Sequence, residues 1–88
     1  MRFHEFKQKE VINIRDGTRL GYVCDFLMCK DKGHVKHIVV PGPAKIFGMF
    51  GREQEYRVEW EHVKQIGDDI ILIDCETDKI LIDSDAGL

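Results

Sequence analysis

The stretch Arg19-Leu20-Gly21-Tyr22-Val23-Cys24-Asp25-Phe26-Leu27-Met28-Cys29 runs through Lys30-Asp31-Lys32-Gly33 into Val35-Lys36-His37-Ile38-Val39-Val40 before Pro41, and it decides the fold. In its first part Leu20, Tyr22, Cys24, Phe26 and Met28 fall on every second position, with Val23 and Leu27 opposite. A period of two belongs to a strand, and apolar residues on both faces imply a strand covered from both sides, as in a curled sheet. The polar loop ends in a glycine able to take positive φ, so the run from Val35 to Val40 returns as a hairpin partner that Pro41 terminates.

Upstream, residues 3–6 read as a short extended start. Residues 10–14 read as a strand with Ile12 and Ile14 on one face, closed by the Asp16-Gly17 turn. Downstream, residues 55–60 alternate, with Tyr56, Val58 and Trp60 on the dry side against Glu55, Arg57 and Glu59. Residues 61–66 suit a single helical turn in which Val63 and Ile66 plug one end of the fold before Gly67. Residues 69–74 and 79–83 form a final hairpin across Cys75-Glu76-Thr77-Asp78. No segment carries a sustained helical stripe. Five or six short strands without a helix to cover them must close or sandwich, so the expected fold is all-β: a small barrel with one short helical turn.

The chain has 88 residues, 43% hydrophobic and 33% charged, which suits one globular core and excludes the composition of a disordered chain. We expect one domain over residues 1–83 and a short, frayed tail over 84–88. A net charge of −3 disfavours a broad electrostatic grip on nucleic acid. No apolar run is long enough for a membrane span, and the start has no secretory h-region. Three cysteines, Cys24, Cys29 and Cys75, suit reduced thiols and a cytoplasmic setting.

The blocks Lys9-Glu10-Val11-Ile12-Asn13, Asp16-Gly17, Leu20-Gly21-Tyr22-Val23 and Asp25 resemble the opening of PRC-barrel domains. The later blocks Gly33 to Pro41, Phe47-Gly48-Met49-Phe50-Gly51-Arg52, Glu55-Tyr56-Arg57-Val58-Glu59-Trp60 and Ile66-Gly67-Asp68-Asp69-Ile70-Ile71-Leu72 resemble the stand-alone YlmC/YmxH family of spore-forming bacteria. The resemblance spans residues 3 to 75. It implies a PRC-type barrel that docks against proteins in a role associated with sporulation, and it brings no catalytic motif.

Between Gly42 and Gly51, Ile46, Phe47, Met49 and Phe50 stand among glycines in a connection too irregular for a strand. Four large apolar residues there need cover. They either fold back as a lid or form a partner-binding patch with Arg52 and Lys45 at its rim, Phe47 and Phe50 being the anchors. The expected function is a non-enzymatic adaptor that binds a protein partner or pairs as a homodimer; the alternative is a small RNA- or ribosome-associated β-barrel module.

His4, His34, His37, His62 and the three cysteines lack the close paired spacing of a structural zinc site, so no metal is expected. Cys24, sharing a face with Tyr22 and Phe26, reads as a buried, inert thiol, and Cys29 as the more reactive one. The acids of the C-terminal third read as a solvated face. No phosphate-binding glycine loop is present, and no cofactor is expected.

Overall fold

The computed structural model describes residues 1–43 and 54–83. A four-residue helix, α1 (Phe3–Phe6), opens the chain, followed by β1 (Glu10–Asn13), β2 (Arg19–Tyr22), β3 (Asp25–Met28) and β4 (Val35–Pro41). After β5 (Gln54–Glu59) come a 3-10 turn (Trp60–His62), β6 (Val63–Ile66), β7 (Ile70–Ile73), a second four-residue helix α2 (Thr77–Ile80) and β8 (Leu81–Asp83). The fold is mostly strand. Among the described residues the strands make two four-stranded sheets, ordered β2-β1-β7-β6 and β3-β4-β5-β8, and neither closes on itself. That is eight short strands, where five or six had been expected.

The difference starts inside the stretch that decided the fold. Residues 19–29 do not form one strand: β2 lies in the first sheet and β3 in the second, and Val23 and Cys24 carry the chain across between them. Gly21 takes φ 118°, a conformation that side chains with a Cβ rarely adopt, and the Cys24 amide donates to the Val39 carbonyl at 2.8 Å. The crossing shifts the inward parity. Leu20 and Val23, three apart, are buried, whereas Tyr22, Cys24 and Met28 are exposed.

Other expectations change for related reasons. Residues 3–6 are helical, because Glu5 and Phe6 bond back to the Arg2 carbonyl at 3.0 and 3.1 Å. In β1 the buried face is Val11 and Asn13, and Ile14 is exposed, since β1 sits between two partners and turns Val11 inward. Residues 61–66 hold only the end of the 3-10 turn; Val63–Ile66 is a strand because it pairs with β7. The last two apolar runs are not a hairpin either. β7 pairs with β1 and β6 and β8 with β5, because α2 lies between them and hands the chain to the other sheet.

The hairpin of β3 and β4 forms as read: Gly33 has φ 70°, and its amide donates to the Cys29 carbonyl at 2.8 Å. Tyr56 and Val58 are buried as expected, but Trp60 has left the strand for the 3-10 turn and is 39% exposed. The core lies between the sheets. Val11, Ile71 and Ile73 of the first meet Ile38, Val40 and Val58 of the second, all fully buried. The parallel pairing of β1 with β7, in register from Glu10↔Ile70 to Asn13↔Ile73, joins the two halves of the first sheet across most of the chain.

Candidate functional site

The most apolar concavity lies where α1 meets the second sheet. In a helix, positions three apart share a side, so Phe3 and Phe6 project together. Phe6 is buried and meets Phe26 of β3 edge-on, with centroids 5.2 Å apart at 67°. Phe3 tilts over the same ring at 4.4 Å, and Phe6 also faces Trp60 at 6.2 Å. These geometries are the offset and edge-to-face arrangements that aromatic quadrupoles favour.

Val35, Ile66 and Met1 complete a groove of about 270 Å³. Its mouth is unusually apolar for a surface: Met1 is 74% exposed, Phe3 40% and Trp60 39%. Cations stand at the rim. Arg2 lines the groove, and the Lys7 ammonium sits 5.4 Å from the Phe3 ring, within cation–π range. The helix that carries the groove wall is held by the Glu5 carboxylate, which accepts the Arg2 amide at 2.8 Å.

A second, more polar hollow of about 240 Å³ is lined by Arg15, Glu59, His62, Cys75, Glu76, Lys79 and Ile80. Two of its lining residues, Arg15 and Cys75, are tied to Asn13, which is fully buried. The Asn13 amide donates to the Cys75 carbonyl at 2.7 Å and to Thr77 Oγ1 at 2.9 Å, while its oxygen accepts the Arg15 amide at 3.1 Å and the Cys75 amide at 3.4 Å. Thr77 in turn donates to Asp16 at 2.8 Å. The charges around the hollow neutralise one another locally: Arg15 pairs with Asp74 at 2.9 Å and Lys79 with Glu76 at 3.0 Å.

Neither cysteine with a shifted thiol is arranged for nucleophilic work. Burial pushes the Cys75 thiol up. Cys24 is exposed, not buried as expected, because the crossing between sheets turns it outward. Its thiol is nevertheless pushed up, first by desolvation and then by the carboxylates of Asp25 and Glu55. Both shifts keep the thiol protonated at neutral pH. Among the described residues no three His, Cys, Asp or Glu side chains gather as metal ligands.

The residues expected to bind a partner, Ile46, Phe47, Met49, Phe50 and Arg52, lie outside the described residues. The aromatic groove was not anticipated. Its signal was present in Phe3 and Phe6, whose i, i+3 spacing was passed over in a segment read as extended.

The PRC-barrel domain model matches residues 1–88. This chain belongs to the PRC-barrel family. Its relatives include the "Probable sporulation protein YlmC" of Bacillus subtilis, 35% identical over 69 residues that cover 78% of this chain and 85% of that protein. The "Uncharacterized protein YmxH" of the same organism is 32% identical over 76 residues, covering 84% of this chain and 88% of the relative. An uncharacterized protein of Clostridium acetobutylicum is 34% identical over 67 residues, 76% of each chain. Within the PRC-barrel frame the described chemistry divides: in the polar hollow Arg15 and Lys79 are paired while the buried His62 Nδ1 has no hydrogen-bond partner among the described residues, and the aromatic groove is open. No helix among the described residues is long and apolar enough to cross a membrane.

Proposed function

We propose that this PRC-barrel chain is a non-enzymatic adaptor that binds a protein partner through the aromatic groove, the neighbouring edge strand β3 and the 42–54 connection. The observation that carries the reading is the exposure of Met1, Phe3 and Trp60 around one concavity. Contiguous apolar surface costs free energy in water and is retained where a partner covers it, and aromatic residues in such pockets dominate interface energetics. The name of the Bacillus subtilis relative YlmC supports a role linked to sporulation. The three free cysteines suit a reducing compartment, and we place the protein in the cytoplasm as one domain over residues 1–83. The raised Cys24 and Cys75 thiols favour a binding role over thiol catalysis.

The test is affinity capture from the source organism with the wild type and the Phe3→Asp variant side by side. The adaptor reading expects a discrete set of proteins bound by the wild type, absent with the variant and unchanged by nuclease. Recovery that disappears with nuclease and with raised salt would replace it by the RNA-associated reading.

A further inference from the structure

We infer that the partner segment seated in the aromatic groove is acidic, a stretch of chain whose bulky apolar side chains are flanked by aspartate or glutamate, an inference that rests on the docking reading above and deepens it. The groove does not end at Ile66. A further hollow of about 230 Å³ shares Trp60 and Ile66 with it and is completed by Val63, Lys64 and Gln65. One hollow lies against α1 and β3 and the other against β6, and β3 and β6 are each at an edge of their sheet, so a chain can lie along the gap between them. Among the described residues the only charged side chains lining the two hollows are Arg2 and Lys64, and no carboxylate lines either.

The cations at this end of the molecule are also the unpaired ones. Elsewhere Arg15 pairs with Asp74, Arg19 with Glu10, Arg57 with Glu55 and Lys79 with Glu76, while Lys9 donates to the Gly67 and Asp68 carbonyls. Arg2, Lys7 and Lys64 are exposed and form no ion pair among the described residues, and the same is true of Lys30, Lys32 and Lys36 at the hairpin end that carries Val35. The nearby carboxylates are Glu5, which accepts the Arg2 amide, Asp31 and Glu61, with Asp68 and Asp69 in the turn that binds Lys9. In a chain of net charge −3, unpaired cations around an apolar mouth are a local reversal of sign. A low-dielectric wall beside such a cation focuses its field, so a carboxylate arriving there gains more than one on open surface. Concave hollows suit protruding side chains better than a flat lipid surface, and their apolar lining suits hydrocarbon better than a phosphate backbone.

The test is selection from a random phage-displayed peptide library on the immobilised full chain. Enriched peptides should combine Leu, Ile or Phe with flanking Asp or Glu. A tryptophan-free one, synthesised and titrated, should shift the emission of Trp60, the only tryptophan, to the blue. Lys7→Gln with Lys64→Gln removes two exposed, unpaired charges and should leave the far-UV circular dichroism unchanged. It should weaken that peptide by about two- to five-fold per charge, the worth of an exposed ion pair, and high salt should weaken it on the wild type. Enriched peptides that are neutral or basic, binding indifferent to the paired lysine variant, or no enrichment over the bare support overturns the inference. Binding to vesicles of phosphatidylglycerol and phosphatidylcholine in equal parts, lost in Phe3→Ser, would give the groove to a lipid surface and overturns it too. The adaptor reading stands or falls separately, on whether Phe3→Asp loses captured protein, whatever charge the selected peptides carry.

Discussion

Asn13 shows how one residue decides a local structure. It is fully buried, yet its amide group makes four hydrogen bonds, three of which tie the end of β1 to Cys75 and to Thr77 at the start of α2. A buried carbonyl or amide left without a partner costs about 1–3 kcal/mol, which exceeds what leucine would recover by added apolar burial at a site shaped for an amide. Asn13→Leu should therefore lower stability by about 3 kcal/mol in urea denaturation, since it strands both the Cys75 carbonyl and the Cys75 amide. An unchanged midpoint would mean that the network is incidental. This position was misread from the sequence, where Ile12 and Ile14 looked like the buried pair. Apolarity marks burial only when polar residues cannot be satisfied inside, and nothing local announces that Cys75 and Thr77, more than sixty residues away, will satisfy Asn13. Cys24 failed for the mirror reason: its face was assigned by counting twos through a crossing where the count breaks.

At the scale of elements, the legible parts were those whose signals are local. The β3–β4 hairpin needed only Gly33 and two apolar runs, and the β5 alternation needed only its own residues. The illegible parts were choices between sheets. Whether residues 19–29 run straight or pass from one sheet to the other depends on Val39 offering its carbonyl to Cys24. Whether the two last apolar runs pair depends on β1 and β5 competing for them, and those long-range partners win. The aromatic groove is another such product, since its walls come from α1, β3 and the turn after β5. One element-scale contact makes a sharp prediction. A Cβ on Gly42 would lie 2.6 Å from the Gln54 carbonyl oxygen, while Gly42 itself donates to that oxygen. The strands must separate to admit it and lose the bond that closes the ladder. Gly42→Ala should cost about 1–3 kcal/mol, the range of overpacking in a fitted site. Gly17→Ala, with φ 77° but nothing within 4 Å of an added Cβ, should cost only the left-handed backbone penalty of about 1 kcal/mol. Equal costs for the two, measured by thermal melts, would show that the β4–β5 end gives way freely.

Over the whole molecule, the two sheets are held by one shared core, and this fixes how the protein must unfold. Ile71 belongs to the first sheet and is fully buried against residues of the second, including Ile38, Val40 and Val58. Trp60 lies just after β5, the second sheet's inner strand, and beside Phe6. If the sheets were independent, a defect at Ile71 would leave the Trp60 signal in place. With one core it cannot, because neither four-stranded sheet has a covered face without the other. Ile71→Ala should cost about 2–5 kcal/mol through lost burial and the cavity left behind. A chain of this size has a total stability on the order of 5–10 kcal/mol, so the variant should remain folded in water but with a much lower urea midpoint. The shift should be the same whether it is followed by Trp60 fluorescence or by far-UV circular dichroism, as all-or-none unfolding requires. A Trp60 transition that stays at the wild-type midpoint while the dichroism moves would mean that the second sheet stands alone. The groove would then be carried by a unit that survives loss of the first sheet, and the parallel β1–β7 pairing would support only its own half of the molecule.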